Sequence, residues 1–337
     1  VAGDEWERRI EDVRRDGAAL MGVPVEDVAF VKNTTEGLGF VASGLDWSTG
    51  DRVVVPDCEF PSNTIPWHAL GERGVEVEWV PARGPGHEVA LEDVEAALGR
   101  GGVRLVSMSW VQFGRGWRVD VPEMARVAHE HGAFFCLDAI QGLGVLPAEF
   151  AAWGVDVAMA DGHKWMLAPE GVGLLAVRPS IRDHLTVLEP GWNSVPYRTD
   201  WERREWEPDP TARRFEGGTM NVGGILALGA SVRLLLDASV DRVWAHVDRL
   251  CSRLAEGLAA AGATVLTRRE GGGGSGIVTF AIDGADPRSL ATGLREAGVI
   301  CAPRGGGVRV SPHGYNTVEE IDALVEWAAR RGATARA

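Results

Sequence analysis

With 337 residues, 45% of them apolar and 24% charged, the chain is long enough for one large core or two lobes, and its composition is neither that of a disordered segment nor that of a membrane protein. No apolar run approaches the ~20 residues of a membrane-crossing helix. A net charge of −14 disfavours nucleic acid and anionic lipid, which bind basic patches, and leaves a small molecule as the expected ligand.

In chain order, residues 1–20 carry Trp6, Ile10, Val13 and Leu20 on one helical face, with neither a basic leader nor a signal-type apolar block. The chain opens at Val1, not methionine, so a segment upstream of this helix is expected. Short β-branched and aromatic runs follow at 28–31, 53–55, 75–80, 103–110, 133–137, 155–160 and 172–177, with amphipathic helical stretches between several of them, as at 91–98 and 121–131. Strands alternating with helices predict an α/β lobe built on a mainly parallel sheet covered on both faces. The stretch 188–215, rich in Trp and Arg, is too long for an ordinary connection and is expected to serve function or an interface. Val240, Val243, Val247, Leu250, Leu254 and Leu258 then mark a helix, followed by strand, helix and strand at 277–282, 289–297 and 308–311. Gly271 to Ser275 read as a surface loop ahead of the first of these strands, and Thr317 with Glu320 has capping-box spacing at the start of a last helix. The expected organisation is an N-terminal helix over 1–20, a large lobe over 21–235 and a smaller α+β lobe over 236–337.

Cys58, Cys136, Cys251 and Cys301 lie far apart without a Cys-x-x-Cys pair, which disfavours zinc and redox dithiol sites and fits a reducing cytoplasm. Lysine occurs only at Lys32 and Lys164, so any imine chemistry must use one of them.

Lys164 and Asp138 follow strand patterns whose carboxyl ends share one crevice in a parallel sheet. A lysine that holds an aldehyde and an acid that keeps a pyridine nitrogen protonated are what pyridoxal chemistry requires, and Gln141 could donate to the ring hydroxyl. The alternative is a strand-end cap and a surface lysine. Asn33, Thr34 and Thr35 open a helix whose free N–H groups suit a phosphate or are simply capped. Phe60 either stacks on a planar ring or joins the core. Arg309, inside an apolar strand, either clamps a substrate carboxylate or forms an internal salt bridge.

Together, Asn33-Thr34-Thr35-Glu36, Glu59-Phe60-Pro61-Ser62-Asn63, Asp138-Ala139-Ile140-Gln141, His163-Lys164, Gly218-Thr219 and Arg309-Val310-Ser311 with Tyr315-Asn316-Thr317 resemble the class V aminotransferases, a group that includes cysteine desulfurases, selenocysteine lyases, isopenicillin N epimerases and kynureninases. The resemblance runs from about Phe30 to Glu320. It implies a fold-type I homodimer with active sites shared between subunits, pyridoxal 5′-phosphate as cofactor and an amino-acid substrate taken up as an external aldimine. By position, Lys164 is the Schiff-base lysine and then the base at the α-carbon, Asp138 the pyridinium partner and Gln141 the hydroxyl contact. Phe60 covers the ring, Thr34, Thr35 and His163 lie at the phosphate, Thr219 reaches the partner subunit's phosphate, and Arg309 holds the substrate carboxylate.

Three departures shape the expected chemistry. Phe60 stands where desulfurases carry a proton-moving histidine. The loop that bears their nucleophilic cysteine is cut to Ala302-Pro303-Arg304-Gly305-Gly306-Gly307, leaving Cys301 as an expected core residue on a strand. Asp161 stands where a phosphate-binding serine is common, and its charge predicts that it turns away or meets another donor. Aminotransferase or C–S lyase chemistry is therefore expected ahead of persulfide-forming desulfurase or selenocysteine lyase activity, or epimerisation. A non-catalytic cofactor-binding scaffold would have no use for the electron sink that Asp138 maintains, and a nicotinamide enzyme would carry a Gly-x-Gly-x-x-Gly after its first strand.

Overall fold

The structure, a computed structural model, describes residues 2–335; Val1, Arg336 and Ala337 lie outside them. The elements run α1 (Ala2–Met21), β1 (Val28–Val31), α2 (Thr34–Gly44), β2 (Arg52–Pro56), α3 (Ile65–Ala69), β3 (Glu76–Val80), a ribbon of β4 (Ala82–Arg83) and β5 (Glu88–Val89), α4 (Leu91–Leu98), β6 (Val103–Ser109), α5 (Val121–Glu130), β7 (Phe134–Asp138), β8 (Val157–Asp161), β9 (Gly173–Val177) and α6 (Pro179–Arg182). After the irregular stretch come α7 (Val222–Ala238), α8 (Val240–Ala260), β10 (Thr264–Val265), β11 (Val278–Ala281), α9 (Pro287–Glu296), β12 (Ala302–Arg304), β13 (Gly307–Val310) and α10 (Val318–Ala335).

Seven strands form one sheet in the order β1-β9-β8-β7-β6-β2-β3. The run from β8 to β3 is parallel, while β9 pairs antiparallel with both β8 and β1. Residue alternation sorts its side chains onto two cores. Val53, Val55, Cys136 and Met159 join the cluster under α2, whereas Val54, Phe135, Leu137 and Ala158 face the opposite cluster, which continues into the smaller lobe. The smaller lobe is a four-stranded sheet, β10-β11-β13-β12, antiparallel throughout and backed by α8, α9 and α10. The chain turns between α7 and α8 at Ser239, where φ is 66° and the helix axes diverge by 80°. The mixed α/β lobe with a smaller α+β lobe is the expected architecture.

Two local features carry the sheet into register with the site. Buried Asp156 accepts from the Phe135 backbone N–H at 2.8 Å and from Ser180 Oγ at 2.9 Å. That anchoring holds Asp156 outside the strand, so β8 begins two residues later than the hydrophobic run at 155 indicates and ends on Asp161. Gly37 lets α2 lie on β8, since a Cβ there would meet Met159 Cβ at 3.0 Å. The first turn of α2 is thereby brought to the end of β8.

The segment 188–215 contains only one short helical turn, Ala212–Phe215, and exposes Trp192, Trp201 and Trp206. Beyond it, Glu216 is buried against Arg14 of α1 at 2.6 Å and accepts the Phe30 N–H at 2.9 Å, which fixes the approach to Thr219. The Thr317–Glu320 capping box forms in both directions. No single helix among the described residues is long and apolar enough to cross a membrane.

Candidate active site

Asp138 is the last residue of β7 and is 2% exposed. Its Oδ1 accepts the Ile140 N–H at 3.0 Å. Burial pushes its pKa up to about 6, and the Ile140 N–H and the nearby Lys164 charge pull it back only in part. Lys164 sits three residues beyond β8, where burial depresses its ammonium while Asp138 and Asp161 support it and Arg309 opposes it. Asp138, Asp161, Lys164 and Arg309 therefore share one electrostatic environment, at the carboxyl edge of the parallel strands.

The loop bearing Lys164 is clamped from the smaller lobe. His313 places Nε2 3.2 Å from the Trp165 carbonyl, its ring stacks on Trp165 at 5.1 Å and on Tyr315 at 4.9 Å, and burial lowers its pKa. The Trp165 indole fills space that only a glycine leaves open, since a Cβ on Gly276 would come within 2.4 Å of it.

Arg309 lies on β13. Its Nη1 donates to the Phe113 carbonyl at 2.7 Å, its Nε is enclosed without an acceptor, and it forms no ion pair with a carboxylate among the described residues. Burial and the neighbouring Arg304 charge both lower its pKa, so the site contains a guanidinium in need of an anion. Replacing Arg309 with Gln is expected to raise the KM for an amino-acid substrate about 10- to 100-fold, with a smaller change in kcat. Steady-state kinetics beside a thermal melt would separate lost binding from lost folding.

Phe60, 42% exposed after β2, meets Phe113 edge to face at 5.2 Å and 78°. Phe113 thus links the Phe60 ring to Arg309, a role its sequence gave no sign of. The turn that carries it crosses between the lobes. Gln112 donates to the Cys58 carbonyl at 3.0 Å, Thr279 Oγ1 to the Gly114 carbonyl at 2.7 Å, Arg115 Nε to the Gly305 carbonyl at 2.8 Å and Ser275 Oγ to the Gly116 carbonyl at 2.6 Å.

Glu59 is a second acid that sequence reasoning left without a role. It accepts the Ser109 N–H at 2.6 Å and the Ser109 hydroxyl, and Ser109 pairs with Asp138 across β6 and β7. Burial raises its pKa to about 7, with the Asp138 charge adding to the rise.

At the other end, Thr34 is buried and its Oγ1 accepts the Asp161 N–H at 3.1 Å, while Thr35 donates to Ser62 Oγ at 2.8 Å. Asn33 caps α2 by accepting the Glu36 N–H at 2.9 Å. His163 Nδ1 lies 3.1 Å from Asp161 Oδ1. Gln141 is buried near Asp138 in sequence and makes no side-chain hydrogen bond among the described residues. Thr219 is not brought to Lys164 within the chain; it lines a separate hollow with Phe30, Lys32 and Glu36.

The four cysteines are free thiols, Cys136 and Cys251 buried and Cys58 and Cys301 half-buried. Cys301 precedes β12 instead of lying on a strand, and it is half-buried instead of enclosed, with Sγ 3.9 Å from the Ala291 carbonyl. Burial raises its pKa, and raises that of Cys58 and of Cys251 to about 12 and that of Cys136 further still.

Comparison with known proteins gives the family and the fold. The aminotransferase class-V family model matches residues 1–324. A probable cysteine desulfurase of Methanothermobacter thermautotrophicus is 32% identical over 95% of this chain and 82% of its own length, and an uncharacterized aminotransferase of Bacillus subtilis is 30% identical over 96% and 85%. Among solved structures, the apo cysteine desulfurase of Thermococcus onnurineus NA1 superposes with a TM-score of 0.89 at 26% identity, covering 98% of this chain and 85% of that one. A cystine C–S lyase bound to cysteine persulfide has the same fold, with a TM-score of 0.88 at 24% identity over 97% and 88% of the two chains. The chain belongs to the class V aminotransferase family of fold-type I pyridoxal-phosphate enzymes.

Proposed function

We propose that this chain uses pyridoxal phosphate held covalently by Lys164 to break down a sulfur-bearing α-amino acid by C–S lyase chemistry, without a persulfide on the enzyme. The observation that carries the amino-acid reading is Arg309, a half-buried guanidinium close enough to act on the Lys164 charge, whose Nε is enclosed without an acceptor and which pairs with no carboxylate among the described residues.

The residues present fit the cofactor at both ends. Asp138 supplies a buried acid for the pyridine nitrogen, Gln141 a free amide for the ring hydroxyl, Phe60 an open aromatic face, and the first turn of α2 with Thr34, Thr35 and His163 a setting for the phosphate. Bound pyridoxal phosphate supplies an aldehyde that captures amino groups and a ring that accepts the electron pair left when the α-carbon loses its proton.

The chain's own groups do the rest. Arg309 grips the α-carboxylate, its position fixed by the Phe113 carbonyl. When not bonded to the cofactor, Lys164 Nζ would be a free amine whose depressed pKa suits it to take the α-proton. Asp138 holds the ring nitrogen's proton. Phe60 cannot move protons, which leaves Lys164 as the proton carrier on that side. In lyase chemistry the sulfur substituent leaves the β-carbon with its electron pair after the α-proton is gone. The similarity to cysteine desulfurases and to a cystine C–S lyase supports a sulfur amino acid, and the raised thiol pKa of each cysteine supports release of sulfur with the product.

Transamination is the second reading, favoured by the same dependence on Lys164 alone and by the similar aminotransferase of Bacillus subtilis. Mass spectrometry of products from a panel of amino acids separates the two. Sulfide or persulfide with a keto acid and no amino acceptor supports the lyase, whereas strict dependence on an added keto acid overturns it. Cys58→Ser and Cys301→Ser are each expected to keep turnover within the same order of magnitude; collapse of either would restore an enzyme persulfide. A homodimer is part of the proposal, since Thr219 lines a hollow that does not include the chain's own Lys164.

A further inference from the structure

Asp161 is 8% exposed at the junction of β8 with the first turn of α2. Its Oδ1 is enclosed and accepts no hydrogen bond; His163 Nδ1 stands 3.1 Å away but out of hydrogen-bond alignment. Its backbone N–H is fixed to Thr34 Oγ1 at 3.1 Å, which ties the carboxylate to the helix end. The N–H groups of Thr34 and Thr35, in the first turn of an eleven-residue helix, have no intrahelical acceptor and lie at the positive end of the dipole. An unsatisfied carboxylate oxygen and an anion-binding helix end thus meet at one place, an arrangement in which a fully ionised phosphate would face a negative charge.

We infer that Asp161 binds the phosphate end of the cofactor through a shared proton: Oδ1 and one phosphate oxygen hold a single hydrogen between them, taken up from solvent as the phosphate ester binds. The inference rests on the cofactor reading above. The shared proton satisfies the orphaned oxygen and leaves the phosphate a monoanion, whose remaining charge the helix end faces. The titratable groups around Asp161 are Asp138 from β7 and His163 and Lys164 from the loop after β8. From α2, Glu36 is engaged with Lys32 at 2.7 Å.

The test uses the apo form of the full chain and two probes that lack the aldehyde, so that Lys164 forms no bond with either: pyridoxamine 5′-phosphate and pyridoxamine. Calorimetric titration at about pH 8, where a free phosphate monoester is mostly dianionic, in buffers of different ionisation enthalpy counts protons taken up. The wild type is expected to take up about one more proton with the ester than with pyridoxamine, and its affinity for the ester to fall about tenfold per pH unit above neutrality. In Asp161→Asn, and in Asp161→Ser should the first variant fold poorly, the extra proton disappears and the ester binds more tightly than to wild type at that pH. A difference near zero in the wild type, or one that persists in the variants, overturns the inference. Failure of the wild type to bind either probe overturns the cofactor reading itself. An independent check is the ³¹P resonance of the bound ester, expected at the monoanion position across the same pH range in wild type and at the dianion position in Asp161→Asn.

Discussion

Lys164→Ala is expected to lower turnover at least about 10⁴-fold and to abolish covalent retention of the cofactor. The two lysines of the chain make this a clean experiment. Lys32 is exposed on the strand-to-helix connection, pairs with Glu36 at 2.7 Å, and is held protonated above the usual lysine range by that bond. An ammonium so stabilised is a poor nucleophile toward an aldehyde. Lys164 stands opposite: burial outweighs the support of Asp138 and Asp161 and moves its pKa down, enlarging the neutral fraction at working pH. Borohydride reduction of the holoenzyme followed by peptide mapping should place the cofactor on the peptide containing Lys164. Modification of Lys32, or reducible cofactor in Lys164→Ala, would sink the assignment. The Lys164→Ala protein should still bind the cofactor reversibly, because Asp138, Phe60 and the α2 end remain, so the visible absorption should shift rather than vanish.

How far the sequence led is best judged at particular residues. The sheet was readable because apolar runs such as the β-branched 53–55 and the aromatic-rich 133–137 can be satisfied only by burial on both faces, and the intervening amphipathic stretches dictate helices between them. Lys164 and Asp138 were readable for a related reason, since strand ends in a parallel sheet converge whatever lies between them. Arg309 was different. Its two readings differ in whether a carboxylate lies nearby, which is a fact about the packing of β13 against the 112–116 turn, and no spacing in the chain encodes it.

The same reasoning explains Gln112, Phe113 and Glu59. Gln112 and Phe113 act through contacts between segments distant in sequence, Gln112 on the Cys58 carbonyl, Phe113 on the Phe60 ring and, across the lobes, the Phe113 carbonyl on Arg309, and such contacts leave no residue pattern. Glu59 belongs to the motif over 59–63, but its place beside Asp138 depends on burial and on the Ser109 N–H of a neighbouring strand. Thr219 shows a further boundary. Buried Glu216 fixes its approach, yet within one chain it lines a hollow that does not include Lys164, and the role the resemblance implies for it needs a second subunit.

Asp138→Asn is expected to reduce turnover about 10²- to 10³-fold, because an amide cannot supply the negative charge that keeps a pyridine nitrogen protonated. It should have the opposite effect on the stability of the apo protein. In the folded chain the Asp138 pKa rises from its ordinary 3.8 to about 6, chiefly through burial. A raised carboxyl pKa means that the folded state holds the proton more tightly than the unfolded one. Stability is therefore lost as pH climbs from about 4 to about 6, and the whole penalty, about 3 kcal/mol at most, is present above that window. Asparagine is neutral at every pH and escapes it. Part of the gain is given back, since Lys164 loses a charge that supports its ammonium, although a buried lysine can respond by releasing its proton. The apo Asp138→Asn protein should consequently melt a few degrees higher than wild type at about pH 8, and the gap should close at about pH 4, where Asp138 is protonated in the folded wild type. Adding pyridoxal phosphate should reverse the order, since only the wild-type carboxylate gains a cationic ring nitrogen as its partner. An Asp138→Asn protein that is less stable than wild type at both pH values would mean that the carboxylate serves the fold rather than the ring.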